Sequence, residues 1–201
     1  MGLRERKKEQ TRELIAETAR GLFGERGFEA VTVAEIARAA DVSTQTVFNY
    51  FPTKEDLVYW RLESFEEELL STIRDRAAGE SVLTAFGRFV RAPRGMLGSP
   101  DPETRERLAG VTRMIVQSPS LLAREQQIFA GYTADLAELL GADITAQVAA
   151  NAMMGVHRAL VDYTRRRIVE GARAELAGEI RAQADAALAL LGRGLGDYGV
   201  R

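Results

Sequence analysis

The chain of 201 residues has no cysteine, one histidine and only five prolines. Without thiols there are no disulfides, thiolate metal sites, iron–sulfur clusters or cysteine nucleophile. With His157 as the sole imidazole, a multi-histidine centre is excluded too, so neither a metal nor a cofactor is expected. Long apolar runs are also missing. No stretch approaches the roughly 20 apolar residues that cross a bilayer. The charged opening Arg4, Glu5, Arg6, Lys7, Lys8, Glu9 is not followed by the apolar core of a signal peptide. No membrane partner is expected, and the cytoplasm is the expected compartment. Charge of one sign is not in excess either: 27 basic against 29 acidic residues give −2, which at first argues against a nucleic-acid binder.

The 46% of hydrophobic residues supplies a sizeable core and excludes wholesale disorder. Nearly every segment carries apolar residues at helical spacing, and none alternates long enough to read as a strand. The first helix places Leu14, Ile15, Ala19, Leu22 and Phe23 on one face, and Gly24 and Gly27 stop it. Thr32-Val33-Ala34-Glu35 has the form of a capping box opening a short helix whose core side is Ile36, Ala37 and Ala40. Asp41 tolerates the left-handed turn that follows, and Ser43 caps a second short helix from Thr44 to about Phe51, ended by Pro52. Thr53-Lys54-Glu55-Asp56 restarts a helix carried to about Ala77 by Leu57, Trp60, Phe65, Leu69 and Ile73. Beyond Gly79, helices are expected near 81–92, 103–117, 119–140, 143–170 and 172–192, punctuated by Pro93, Gly98-Ser99-Pro100, Pro119 and Gly141. The glycine-rich tail from Gly192 is expected to fray.

Function concentrates between Thr32 and Lys54. Two short capped helices joined by a tight turn form a helix-turn-helix, whose second helix enters the major groove in DNA-binding proteins. Ile36, Ala37, Val42, Val47 and Phe51 would lock the pair together. That leaves Thr44, Gln45, Thr46, Asn49 and Tyr50 outside, uncharged hydrogen-bonding residues where a merely solvated face usually carries Glu, Lys and Arg. Gln and Asn bond adenine bidentately, and threonine offers a hydroxyl and a methyl. An ordinary helical corner with polar residues outward gives the same pattern, and this geometry also occurs in proteins that never touch DNA.

The residues Thr32-Val33-Ala34-Glu35-Ile36-Ala37, Asp41-Val42-Ser43-Thr44 and Val47-Phe48-Asn49-Tyr50-Phe51-Pro52-Thr53-Lys54-Glu55-Asp56-Leu57 resemble the DNA-binding domain of TetR-family transcriptional regulators, over about residues 12 to 58. The resemblance implies an all-α fold: an N-terminal three-helix helix-turn-helix DNA-binding domain, residues 1–53, plus a C-terminal helical ligand-binding and dimerisation domain, residues 54–201. It further implies phosphate contacts from Thr32 and Lys54 at helix N-termini, where amides favour an anion. Base reading falls to Thr44, Gln45 and Thr46, and a backbone contact to Tyr50. Phe48 departs from the family, which often has tyrosine there. A phenyl ring cannot donate to phosphate, so either a thymine-methyl contact or inward packing is open to it. Asp41 replaces the more frequent glycine of the turn. The implied partners are a double-stranded DNA operator, a small-molecule effector and a second copy of the chain.

Residues 1–12 hold five basic and two acidic side chains, an arm of the kind that reaches phosphates or a minor groove. The first 55 residues as a whole balance nine basic against nine acidic residues, so the global charge neither supports nor excludes DNA. In the C-terminal part, Trp60, Phe65, Phe86, Phe89, Met96, Met114, Phe129, Tyr132, Met153, Met154 and Tyr163 form an aromatic and methionine set. Each is a core residue by default. The resemblance implies an effector pocket among them, with Trp60, Phe86, Phe89, Met114, Phe129, Tyr132, Met153 and His157 the candidate lining. His157 either bonds a ligand or is satisfied by a neighbouring polar group. No catalytic residue is expected: His157 and Asp162 are five apart, poorly placed on a helix, and there is no nucleophile elbow or phosphate loop. Small residues along 143–170 and 172–192, with Leu176, Ile180, Leu188 and Leu191, suit a homodimer interface or a cover for the chain's own core. A ligand-responsive repressor acting on a palindromic operator is the leading expectation. A helical enzyme or carrier retaining the helix-turn-helix as scaffold, and a protein–protein adaptor, are the alternatives.

Overall fold

The computed structural model describes residues 2–60, 62–92, 101–171 and 176–195, and all regular structure among them is helical. The helices are α1 (Leu3–Arg26), α2 (Val33–Ala39), α3 (Thr44–Tyr50), α4 (Asp56–Tyr59), α5 (Leu62–Arg74), α6 (Val82–Arg91), α7 (Pro102–Gln117), α8 (Pro119–Leu140), α9 (Ile144–Val169) and α10 (Leu176–Leu195). The single helix expected over 54–77 is represented by α4 and α5, which flank residue 61. Trp60 keeps helical angles (φ −55°, ψ −24°), and the segment ends at Arg74 rather than Ala77. Pro93, Met96 and Gly98-Ser99-Pro100 lie outside the described residues. So do Ala172 and Ala174, at the expected start of the last helix, and the end of the tail from 196 on. Helix α10 runs through Gly192 to Leu195.

The chain divides into two compact units. The first joins residues 1–62 with 113–125. Its core is Ile15, Ala16, Ala19, Phe23, Phe28, Val31, Ile36, Ala37, Val47, Phe51, Leu57 and Leu121, all buried. Leu14, expected on that face, is instead 52% exposed, one position short of the stripe that Ile15, Ala19 and Phe23 set. Helix α1 passes through Gly24 and ends at Gly27, whose φ of +83° lets its amide return to the Phe23 carbonyl at 2.9 Å.

The packing boundary of this unit does not coincide with a cut at residue 53, because residues 113–125 are bonded to it. Arg124 Nε donates to Asp56 Oδ1 at 2.7 Å. Ser118 Oγ donates to Glu29 Oε1 at 2.6 Å. The buried Tyr59 hydroxyl donates to the Leu121 carbonyl at 3.0 Å.

The second unit comprises residues 63–112 and 126–201. Ser81 caps α6 by accepting the Thr84 amide, and α6 buries Val82, Ala85, Phe86 and Phe89. Helix α10 packs on both α6 and α9. Gly87 permits the first of these approaches, since a Cβ there would lie 3.2 Å from Leu188 Cδ1. Ala109, Ile168 and Leu176 form a buried cluster with Leu108 and Ile180 against it, so the last two helices do cover their own core. Asp143 caps α9 through the Ala146 amide at 2.7 Å, after a turn in which Ala142 is left-handed (φ 58°). None of the helices is long and apolar enough, over the described residues, to cross a membrane.

Candidate nucleic-acid interface

The two short helices of the first unit are fixed by the residues that cap them. Thr32 Oγ1 accepts the Glu35 amide at 3.3 Å, while the Thr32 amide and hydroxyl both donate to Glu35 Oε2, at 2.9 and 2.8 Å. Arg26 adds an ion pair to Glu35 Oε1 at 2.8 Å. The bonds from the Thr32 amide and then its hydroxyl, followed by that from Arg26, hold the Glu35 carboxyl down at about 2. The Thr32 hydroxyl is thus already committed, and a phosphate at the start of α2 would meet a carboxylate there.

Between α2 and α3 the backbone turns at Asp41, whose φ of 54° is the left-handed conformation expected of it. The Val42 amide closes the turn on the Ala37 carbonyl at 2.9 Å. Ser43 Oγ accepts the Thr46 amide at 3.0 Å, which caps α3. Its oxygen also lies 2.7 Å from Thr46 Oγ1, so the Thr46 hydroxyl serves the cap and is half-buried. Val47 and Phe51, each 1% exposed, hold α3 against the core. Thr44, Gln45, Phe48 and Asn49 are exposed and Tyr50 is half-buried. Phe48, at 42% exposed, does not pack inward. Gln45 Nε2 donates to Asn49 Oδ1 at 3.0 Å, joining two candidate base readers across one helical turn.

Lys54 stands at the next turn with its Nζ 4.1 Å from the centroid of Phe28, a cation–π contact that fixes the ammonium. Thr53 and Asp56 complete the expected box. Asp56 Oδ2 accepts the Thr53 amide at 2.9 Å and the Thr53 hydroxyl at 2.8 Å. The basic residues expected as an arm, Arg4, Arg6, Lys7, Lys8 and Arg12, lie within α1, which begins at Leu3 with Glu5 accepting the Gly2 amide.

Residues 15–59, which hold the two short helices, their caps and Lys54, match the family model described as bacterial regulatory proteins of the tetR family. The chain carries a domain of the tetR family. The regulator TcmR of Streptomyces glaucescens is 32% identical over 124 residues, covering 61% of this chain and 55% of TcmR. The match thus spans about half the length of that relative. A TetR-family regulator from Streptomyces coelicolor A3 superposes with a TM-score of 0.55 at 24% identity, covering 91% of this chain and 95% of that one. GusR of Salmonella enterica gives a TM-score of 0.55 at 19% identity, over 93% and 96% of the two chains. At such identities the two structures establish the fold. TcmR is named as a transcriptional regulator, and the Streptomyces coelicolor protein as a regulator.

Part of the candidate effector lining comes together in the second unit. His157 is half-buried between Phe65, whose ring centroid is 4.8 Å away, and Phe129, 5.2 Å away and edge-on. Tyr132 stacks on Phe65 at 5.9 Å and lies 6.0 Å from Phe129, and Phe89 meets Phe65 edge-on at 5.0 Å. Phe65, absent from the candidate lining, is the ring that meets Phe89, Tyr132 and His157 together. Its signal in the sequence was only membership of the aromatic set. Phe86 and Met153 are buried at 0% and 2% exposure. Trp60 and Met114 belong to the first unit.

Proposed function

We propose that the chain is a homodimeric, ligand-responsive repressor that binds a palindromic DNA operator and is released by a small hydrophobic effector. The observation that carries this reading is the outer face of α3. It is short, capped and set on a buried core, and it presents Thr44, Gln45 and Asn49 without a single charge. Such a face gains little from water that charged residues would not gain better, whereas base edges in a major groove reward it. Thr46 and Tyr50 flank it, and Lys54 and Thr32 approach phosphates, Thr32 in competition with Glu35.

Dimerisation is supported by apolar side chains left exposed on the last two helices. Ile144 is 78%, Val148 55% and Leu190 63% exposed. Pairing of these helices between copies would bury them, and a palindromic operator takes two α3 helices about one DNA turn, roughly 34 to 36 Å, apart. An effector among Phe65, Phe89, Phe129, Tyr132 and His157 would be mostly aromatic or apolar, with the imidazole as its polar anchor. The chain crosses between its two units at 62/63, within α7 at 112/113 and within α8 at 125/126. A ligand-favoured conformation of the second unit reaches the first through these crossings, and operator affinity falls by the difference in ligand affinity between the two states.

Selection of duplexes from a random pool tests this reading. Enrichment of a two-fold symmetric sequence with half-sites one turn apart is expected. Recovery of no consensus, or of an asymmetric single site, would contradict it.

A further inference from the structure

The face of α3 contains one residue that hydrogen-bonded recognition does not use. At about 100° per residue the exposed positions follow one another around the helix as Thr44, Phe48, Gln45 and Asn49, so the phenyl ring sits inside the polar strip. Among the described residues it stacks on no other ring. An apolar side chain in the middle of an interface face is matched by an apolar group on the partner, and the major groove offers one on its bases, the 5-methyl of thymine.

The neighbouring amides favour the same base pair chemistry. Both side chains are exposed, and the bond from Gln45 Nε2 to Asn49 Oδ1 leaves the Gln45 carbonyl oxygen and the Asn49 amide hydrogens available to a partner. One accepts and the other donates, the complement of the N6 amino group and N7 of adenine. The strip therefore pairs an adenine reader with an apolar ring beside it.

We infer that Phe48 recognises the 5-methyl group of a thymine in the operator, next to an adenine read by the joined Gln45 and Asn49. This inference rests on the operator-binding reading above. A phosphate contact is chemically closed to the ring, and the exposure of Phe48 removes inward packing, so methyl contact is the remaining role at this position.

The test replaces each thymine of the selected operator singly by deoxyuridine, which keeps base pairing and removes only the methyl. Affinities are read by fluorescence anisotropy for the full-length chain, Phe48→Ala and Phe48→Leu, with circular dichroism confirming that both variants keep their helix content. One position is expected to weaken the unmodified chain about four-fold, the worth of one buried methyl-sized group. That penalty is expected to vanish in Phe48→Ala and to persist in part in Phe48→Leu. A flat scan on a selected operator overturns this inference alone. A penalty undiminished in Phe48→Ala assigns the methyl to Thr44 and overturns it too. Failure to select any operator overturns the operator-binding reading and this inference with it.

Discussion

Arg124 Nε donates to Asp56 Oδ1 at 2.7 Å, and the other oxygen of the same carboxylate holds the amide and hydroxyl of Thr53. One side chain thus caps the turn before α4 and ties residues 113–125 to it. Loss of Asp56 removes both functions. Asp56→Ala is expected to cost about 1 to 2 kcal/mol, the range of a lost cap plus a partly exposed ion pair. Arg124→Ala, which leaves the cap intact, is expected to cost about 0.5 to 1 kcal/mol. Urea titration of both variants and the double variant should give a double-variant loss smaller than the sum. Strict additivity would show that the pair contributes nothing.

Base contacts and phosphate contacts are separable in solution. Gln45→Ala is expected to relax preference at one operator position by about 1 to 3 kcal/mol, with its partner Asn49 freed of the intrahelical bond. Lys54→Ala is expected to weaken all sequences alike and to lower the salt slope by about 1. A Gln45→Ala variant with an unchanged base preference profile would remove Gln45 from the reading face.

Acid should act on the start of α2. The carboxyl of Glu35 is held at about 2 against an ordinary 4.5, so its contribution to stability is fully present above 4.5 and is lost as pH falls through 2. Glu80, held down first by Arg88, Asp101 by Thr104 and Glu179 by Arg167 act in the same direction. Glu35→Gln is expected to flatten the fall of the urea midpoint between pH 4.5 and 2 relative to the unmodified chain. Parallel curves would show that Glu35 titrates normally.

The aromatic cluster should divide into core and lining. Phe86 is fully buried, and Phe86→Ala is expected to cost about 3 to 5 kcal/mol. His157→Ala is expected to cost only about 1 kcal/mol, in the range of lost aromatic pairing with Phe65 and Phe129, and to abolish thermal stabilisation by aromatic compounds that stabilise the unmodified chain. Retained stabilisation in His157→Ala would move the effector away from this cluster.

The features legible in the sequence are those whose partners are neighbours in the chain. Thr32 with Glu35, Ser43 with Thr46 and Thr53 with Asp56 close over three residues, and the left-handed Asp41 is a property of one residue type. The bonds from Ser118 to Glu29, Tyr59 to Leu121 and Arg124 to Asp56 join residues far apart in sequence, and periodicity carries no information about them. For the same reason the first unit extends beyond residue 53, and Phe65 emerged as the centre of the ring cluster only through packing. Phe48 is a third kind of case. A lone apolar residue in a polar strip fits inward and outward roles equally until its exposure is known. The overall charge of −2 was blind to all of this, because a seven-residue helix without charges contributes nothing to it.

The central claim is that α3 reads base sequence. Its most direct test is the affinity of the full-length chain, at one fixed salt concentration, for the selected operator and for a scrambled duplex of equal length and composition. The operator should bind at least about a thousand-fold more tightly. Equal affinity for the two duplexes, or binding to neither, would contradict it.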